Sequence, residues 1–148
     1  MSANSDDWRN GRHVVYNLHA HIVLTPKYRR PVMTERVSSL IRETCEEVCD
    51  RYKATLDEFN TEHDHAHLLV TYPPKVALST LVMSLKTISS MRVRAQGWDE
   101  VTRALYGKHF WSPSYAVVSC GGAPLEIVKK YIENQGRPNR KPGNPTFG

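Results

Sequence analysis

The 148-residue chain contains no apolar run of 18 residues, so nothing in it reads as a membrane span. Cysteine is scarce: Cys45, Cys49 and Cys120 are all there is. An odd count, behind a polar and acidic start (MSANSDDWRNGRH) unlike a signal peptide, argues against a disulfide framework and for the reducing cytoplasm. Cys45 and Cys49 are four apart, but they fall on the apolar stripe of a helix and read as small buried hydrophobes, not ligands. There is no GxxxxGK[ST] phosphate loop, no internal repeat and no low-complexity linker. The whole chain, 1–148, is expected to be one domain, with an ordered core over about 13–136 and a mobile Pro/Gly-rich tail over 137–148.

Composition is that of an ordinary globular protein with a basic excess. Twenty Lys plus Arg against 15 Asp plus Glu give a net charge of +5, which suits a polyanionic partner without requiring one.

Residues 13–24, HVVYNLHAHIVL, alternate. Val14, Tyr16, Leu18, Ala20, Ile22 and Leu24 share one face; His13, Val15, Asn17, His19, His21 and Val23 share the other. Thr34 is placed to cap a helix whose stripe runs Val37, Leu40, Ile41, Cys45, Val48, Cys49, Tyr52. Strands over 54–61 and 63–72 follow, then a helix over 77–95 striped by Leu78, Leu81, Val82, Leu85 and Ile88. Residues 96–110 carry no clear period. Ser114–Cys120 reads as a strand, and Pro124 and Gly136 bracket a last helix. The order β-α-β-β-α-β plus a helix predicts an α+β, ferredoxin-like antiparallel sheet with two helices on one face. In it the first and third strands are central neighbours, which gathers His19, His21, His65 and His67 on one open face.

The stretch TEHDHAHLLV (61–70) carries the chemistry. His65 and His67 lie at i and i+2 of a strand, with side chains roughly 7 Å apart, close enough to converge on one metal ion. Two solvated histidines would give the same pattern. His63 lies nearer the strand's end and reads as a neighbour, and Asp64 points to the other face. Two histidines need a further ligand. On the last helix, PLEIVKKYIENQGRP, Tyr131 and Gln135 stack on one flank at i, i+4.

HAH followed far downstream by YIENQ resembles the single-tyrosine HUH transposases of small bacterial insertion sequences. HIVLTPKYRRPV (21–32), SLKTISSMRVR (84–94) and FWSPSYAVVSCGG (110–122) resemble, in order, the first-strand signature with its basic segment, the long-helix segment and the segment before the tyrosine helix. The resemblance covers about residues 13–138, with Ala66 in place of a bulkier apolar residue between the histidines.

The resemblance implies an enzyme that cuts and rejoins single-stranded DNA. Tyr131 would be the nucleophile, and His65, His67 and Gln135 would hold one divalent metal, Mg2+ or Mn2+. It implies a homodimer, with the tyrosine helix of one subunit completing the other's histidine site, and recognition of hairpins at the element's ends. DNA contacts are expected from Lys27, Tyr28, Arg29 and Arg30 after the first strand, and from Lys86, Arg92 and Arg94 on the second helix.

Three other readings stay open. One is a domesticated, repeat-associated tyrosine nuclease. The second is a non-catalytic single-stranded nucleic-acid-binding module, although the exposed-face positions hold His and Asn instead of stacking aromatics. The third is a zinc hydrolase with Glu62 as general base, against which the strand parity of Glu62 speaks.

Overall fold

The computed structural model describes residues 8–11, 13–105 and 109–119. Cys120, Tyr131, Gln135, the expected last helix and the tail lie outside the described residues. Element order is β1 (Arg9–Asn10), β2 (Val15–Tyr16), β3 (His19–Leu24), a 3-10 turn (Lys27–Arg29), α1 (Glu35–Arg51), β4 (Thr55–Glu62), β5 (His65–Thr71), α2 (Leu78–Ala95), α3 (Asp99–Thr102) and β6 (Ala116–Ser119).

Strands β4-β5-β3-β6 form one antiparallel sheet in that order. Its first and third strands, β3 and β5, are central neighbours, as the order β-α-β-β-α-β predicts. Ala20, Ile22 and Leu24 pair with Val70, Leu68 and Ala66, and all six are fully buried. They form one core with Val37, Ile41, Cys45 and Val48 of α1 and Leu81, Val82, Leu85 and Val93 of α2. Helix α1 begins where Thr34 Oγ1 accepts the Val37 N–H at 3.4 Å.

The first expected strand is two. Val15–Tyr16 pairs instead with Arg9–Asn10 in a separate two-stranded ribbon, and the pattern resumes at His19. Arg9 then reaches the main sheet, 3.5 Å from Asp57. Asp57 is the extra residue of a β-bulge between Leu56 and Glu58. Its carboxylate accepts the Thr71 hydroxyl, and Thr71 Oγ1 lies 2.8 Å from His19 Nδ1.

Residues 96–110, without a readable period, include the short helix α3. Its Glu100 takes two hydrogen bonds from Arg36 (2.7 and 2.6 Å) and one from Thr34 (2.9 Å). Phe110 and Trp111 lock the segment before β6 onto the end of β3. Lys27 N donates to Phe110 O (2.8 Å), and Ser112 N donates to Thr25 O (2.7 Å). The buried Trp111 indole donates to Ser89 Oγ of α2 at 2.9 Å, and Ser89 in turn donates to Leu85 O at 2.6 Å.

Candidate active site

Cross-strand register decides which side chains share a face. Val23 lies opposite His67, His21 opposite Leu69, and His19 opposite Thr71. Facing residues of an antiparallel pair project to the same side, so His19, His21, His65 and His67 do share the face turned away from α1 and α2. That face is not open. His19 and His21 are 1% exposed and His67 is 6% exposed; only His65 is half-buried.

The two expected ligand rings meet edge to face, with centroids 4.6 Å apart. Each has its Nδ1 engaged. His65 Nδ1 is 2.7 Å from Asp64 Oδ1. His67 Nδ1 is 3.2 Å from His21 Nε2, and those two rings stack at 5.4 Å. His67 Nε2 is buried and makes no hydrogen bond among the described residues. A buried polar atom without a partner costs free energy unless something binds it. Burial pushes His21 and His67 down to about 4, and for His67 the neighbouring His65 and His21 add to the shift. Both are therefore neutral near pH 7, the form in which imidazole binds metal. On these grounds the residues fit a divalent ion. The described residues contain no cluster of three or more His, Cys, Asp or Glu able to hold one. A site built on this pair needs a ligand of another kind or from elsewhere in the chain, as the expected Gln135 would be.

Two sequence readings change here. Asp64 and His63 are not strand residues: they form the tight turn between β4 and β5. His63 points outward, 76% exposed, and its Nε2 is 3.9 Å from Asp64 Oδ2. From that turn Asp64 reaches back to His65. Burial would raise the Asp64 carboxyl, but the His65 hydrogen bond and the charges of His65, Arg29 and His63 hold it below the usual carboxylate range. The turn also resets the alternation, so Glu62 pairs directly with His65 and shares its face. The parity objection to Glu62 therefore fails; its side chain is nonetheless exposed.

The basic residues divide. The register that puts Leu24 beside Ala66 brings the turn after β3 to the histidine end of the sheet. There Tyr28 is exposed beside Lys27, whose Nζ lies 5.4 Å from the ring centroid, and Arg30 is exposed. Tyr28 and Arg29 both adopt left-handed backbone angles (φ 61° and 53°). Arg29 is exposed as well but is paired within the protein, its Nη2 3.2 Å from Asp64 Oδ2. Helix α2 packs on the opposite face of the sheet, so Lys86, Arg92 and Arg94 are not brought to the histidines. Lys86 donates to the Ser112 and Pro113 carbonyls (2.7 and 3.2 Å), and partial burial lowers its ammonium. Arg92 pairs with Glu47 of α1. Arg94 is half-buried.

Residues 14–135 match the profile of the IS200-like transposases. The chain belongs to that family. It is 26% identical over 129 residues to the ISDra2 transposase TnpA of Deinococcus radiodurans, covering 87% of this chain and 91% of the relative. It is 27% identical over 129 residues to the IS200 transposase of Salmonella typhimurium, covering 87% and 84%. A solved transposase from Deinococcus radiodurans superposes with a TM-score of 0.68 at 26% identity, covering 86% of this chain and 97% of that one. A REP-associated tyrosine transposase solved on a REP hairpin shares the fold at a TM-score of 0.55 and 13% identity, covering 85% and 67%. The protein is thus a transposase of the IS200-like family acting on DNA, with the α+β architecture of its solved relative.

Proposed function

We propose that this transposase cleaves and rejoins single-stranded DNA at the ends of an insertion sequence through a 5′-phosphotyrosine on Tyr131. The observation that carries the reading is the His65–His67 pair, with Nδ1 of each occupied and the buried Nε2 of His67 making no hydrogen bond among the described residues. His65 and His67, with Gln135, would hold one divalent ion, Mg2+ or Mn2+. Bound there, such an ion would supply charge neutralisation at the scissile phosphate. The Tyr131 phenolic oxygen attacks phosphorus, the bond to the 3′ oxygen breaks, and the phenolic proton is lost as the 3′-hydroxyl gains one. The phosphoester stays on the enzyme, so a 3′-hydroxyl of another strand can reverse the step without a nucleoside triphosphate. Lys27, Tyr28 and Arg30, at the histidine end of the sheet, supply phosphate and stacking contacts to the strand. Lys86, Arg92 and Arg94 lie on the other layer and serve DNA only outside the cleavage site.

The relative solved on a REP hairpin supports hairpin DNA as the form recognised here. The same reading takes the protein as a homodimer in which the tyrosine segment of one subunit serves the histidines of its partner.

The test is a cleavage assay on hairpin-bearing single-stranded DNA with Mg2+ or Mn2+. Wild type should form a covalent protein–DNA adduct; Tyr131→Phe and His67→Ala should not. Mixing the two variants should restore adduct on the subunit that keeps Tyr131 if the sites are shared. Cleavage that persists in Tyr131→Phe would hand the reaction to water, with Glu62 the first base to examine. Hairpin binding without any adduct in the wild type would leave a binding module.

A further inference from the structure

Each ligand histidine of the proposed site is gripped at Nδ1 by a different kind of group. For His65 the grip is a carboxylate: Asp64 Oδ1 at 2.7 Å, with Arg29 Nη2 on the other carboxylate oxygen at 3.2 Å. For His67 it is a second imidazole: His21 Nε2 at 3.2 Å, on the neighbouring central strand and 46 residues away in sequence. Imidazole can bind metal through either nitrogen, and a hydrogen bond at one nitrogen selects the other. A carboxylate accepts the Nδ1 proton of His65. His21 Nε2, 3.2 Å from His67 Nδ1, is placed to do the same for His67. Both rings are then fixed in the tautomer that keeps a lone pair on Nε2, and neither can flip about χ2 without losing its bond.

We propose that His21 and Asp64 are the positioning residues of this metal site, each holding the Nδ1 edge of one ligand histidine so that both bind through Nε2. Arg29 acts one step further out, by holding Asp64. The inference rests on the metal-site reading above and goes beyond it by assigning three residues that do not touch the ion.

The grips differ in what they tolerate. Asp64 sits in a two-residue turn next to its target, with Arg29 largely exposed beside it. His21 is buried on β3, in the middle of the sheet, and its replacement must also fill space. The conservative variant is therefore His21→Gln, whose side-chain oxygen can accept the Nδ1 proton, set against His21→Ala, which cannot.

The experiment is a Mn2+ titration by calorimetry of the full chain without DNA, with circular dichroism to confirm that each variant is folded. His21→Ala and Asp64→Ala should each weaken Mn2+ binding about 10- to 100-fold, the usual effect of losing such an outer partner. His21→Gln should recover most of the affinity lost in His21→Ala, a rescue that a packing role alone would not give. Arg29→Ala should produce a smaller loss than Asp64→Ala.

His65→Ala and His67→Ala are the reference. If they bind Mn2+ like the wild type, the metal site itself is misread. If they lose the ion while His21→Ala and Asp64→Ala stay within about threefold of wild type, the site stands and the positioning roles fall. A His21→Gln variant as dead to Mn2+ as His67→Ala would also overturn the proposal, because His21 would then be a ligand.

Discussion

Replacing Ser89 with alanine removes one hydroxyl from the middle of α2, and the damage should appear at Trp111. Ser89 is fully buried, and its Oγ is the acceptor for the Trp111 indole N–H at 2.9 Å. The indole is 5% exposed, so water cannot replace the lost partner. The Ser89 bond to Leu85 O matters less, since such a back-bond within a helix adds little to its stability. The expected loss is that of an orphaned buried donor, about 1–3 kcal/mol. For a chain of this size that lowers Tm by roughly 3–10 °C. Trp111→Phe removes the donor and leaves Ser89 still bonded to Leu85 O, so its loss is one of packing. The double variant should therefore be more stable than the sum of the single losses predicts, with a coupling of about 1–2 kcal/mol. Urea unfolding followed by circular dichroism measures all four corners, because the tryptophan signal itself changes with Trp111. A Ser89→Ala loss below about 0.5 kcal/mol, additive with Trp111→Phe, would refute the reasoning. The pair matters for function because Phe110 and Trp111 hold the turn after β3, from which Arg29 reaches Asp64.

Three further outcomes are expected. Hydrogen bonds from Arg36 hold the half-buried Glu100 carboxyl down from 4.5 to about 2. A depressed carboxyl stabilises the folded state above pH 4.5, and that contribution fades as pH falls from there through 2. An NMR titration should find the low Glu100 value, returning toward 4.5 in Arg36→Ala and shrinking in strong salt. Thr71→Val strips one partner each from His19 and Asp57 and should destabilise by about 1–3 kcal/mol in urea, whereas Thr71→Ser should sit near wild type. Burial pushes the Cys49 thiol up to about 12 and the Cys45 thiol higher still, so neither should react with a thiol reagent at pH 8 until the chain unfolds.

The sheet was legible because its period is simple. Alternation over residues 19–24 and 65–71 assigns every side chain to a face, and the register keeps those assignments. Alternation carries no information about what covers a face, which is why the histidines were expected in the open and are buried. It also fails wherever the chain turns without a glycine or proline to mark the place. His63-Asp64 is such a turn, and reading strand through it put Glu62 on the wrong side. Asn17-Leu18 is a further break, though not a turn, where one apparent strand becomes two. Charge was legible and intramolecular partners were not: Arg92 pairs with Glu47 and Lys86 donates to two backbone carbonyls, contacts that the sequence does not announce. The His21–His67 contact had one visible signal, a shared strand parity, but a bond between residues 46 apart requires the pairing of β3 with β5.

That separation has a consequence for the order in which the protein becomes itself. Strands β4 and β5 are joined by two residues, a closure that loop entropy makes fast and cheap. Asp64 and His65 are neighbours in the chain, so their contact can form with that hairpin. The His21–His67 contact must wait for β3 to close over α1 and β4, a slower event of longer range. A half-folded chain would then carry both histidines of the HAH motif with only one of them oriented. In pulse-labelled refolding, amides of the β4–β5 hairpin should gain protection before those of β3, and the His21–His67 contact should form with β3. A transposase assembled in that sequence has its second HAH histidine oriented only once its central strand is in place.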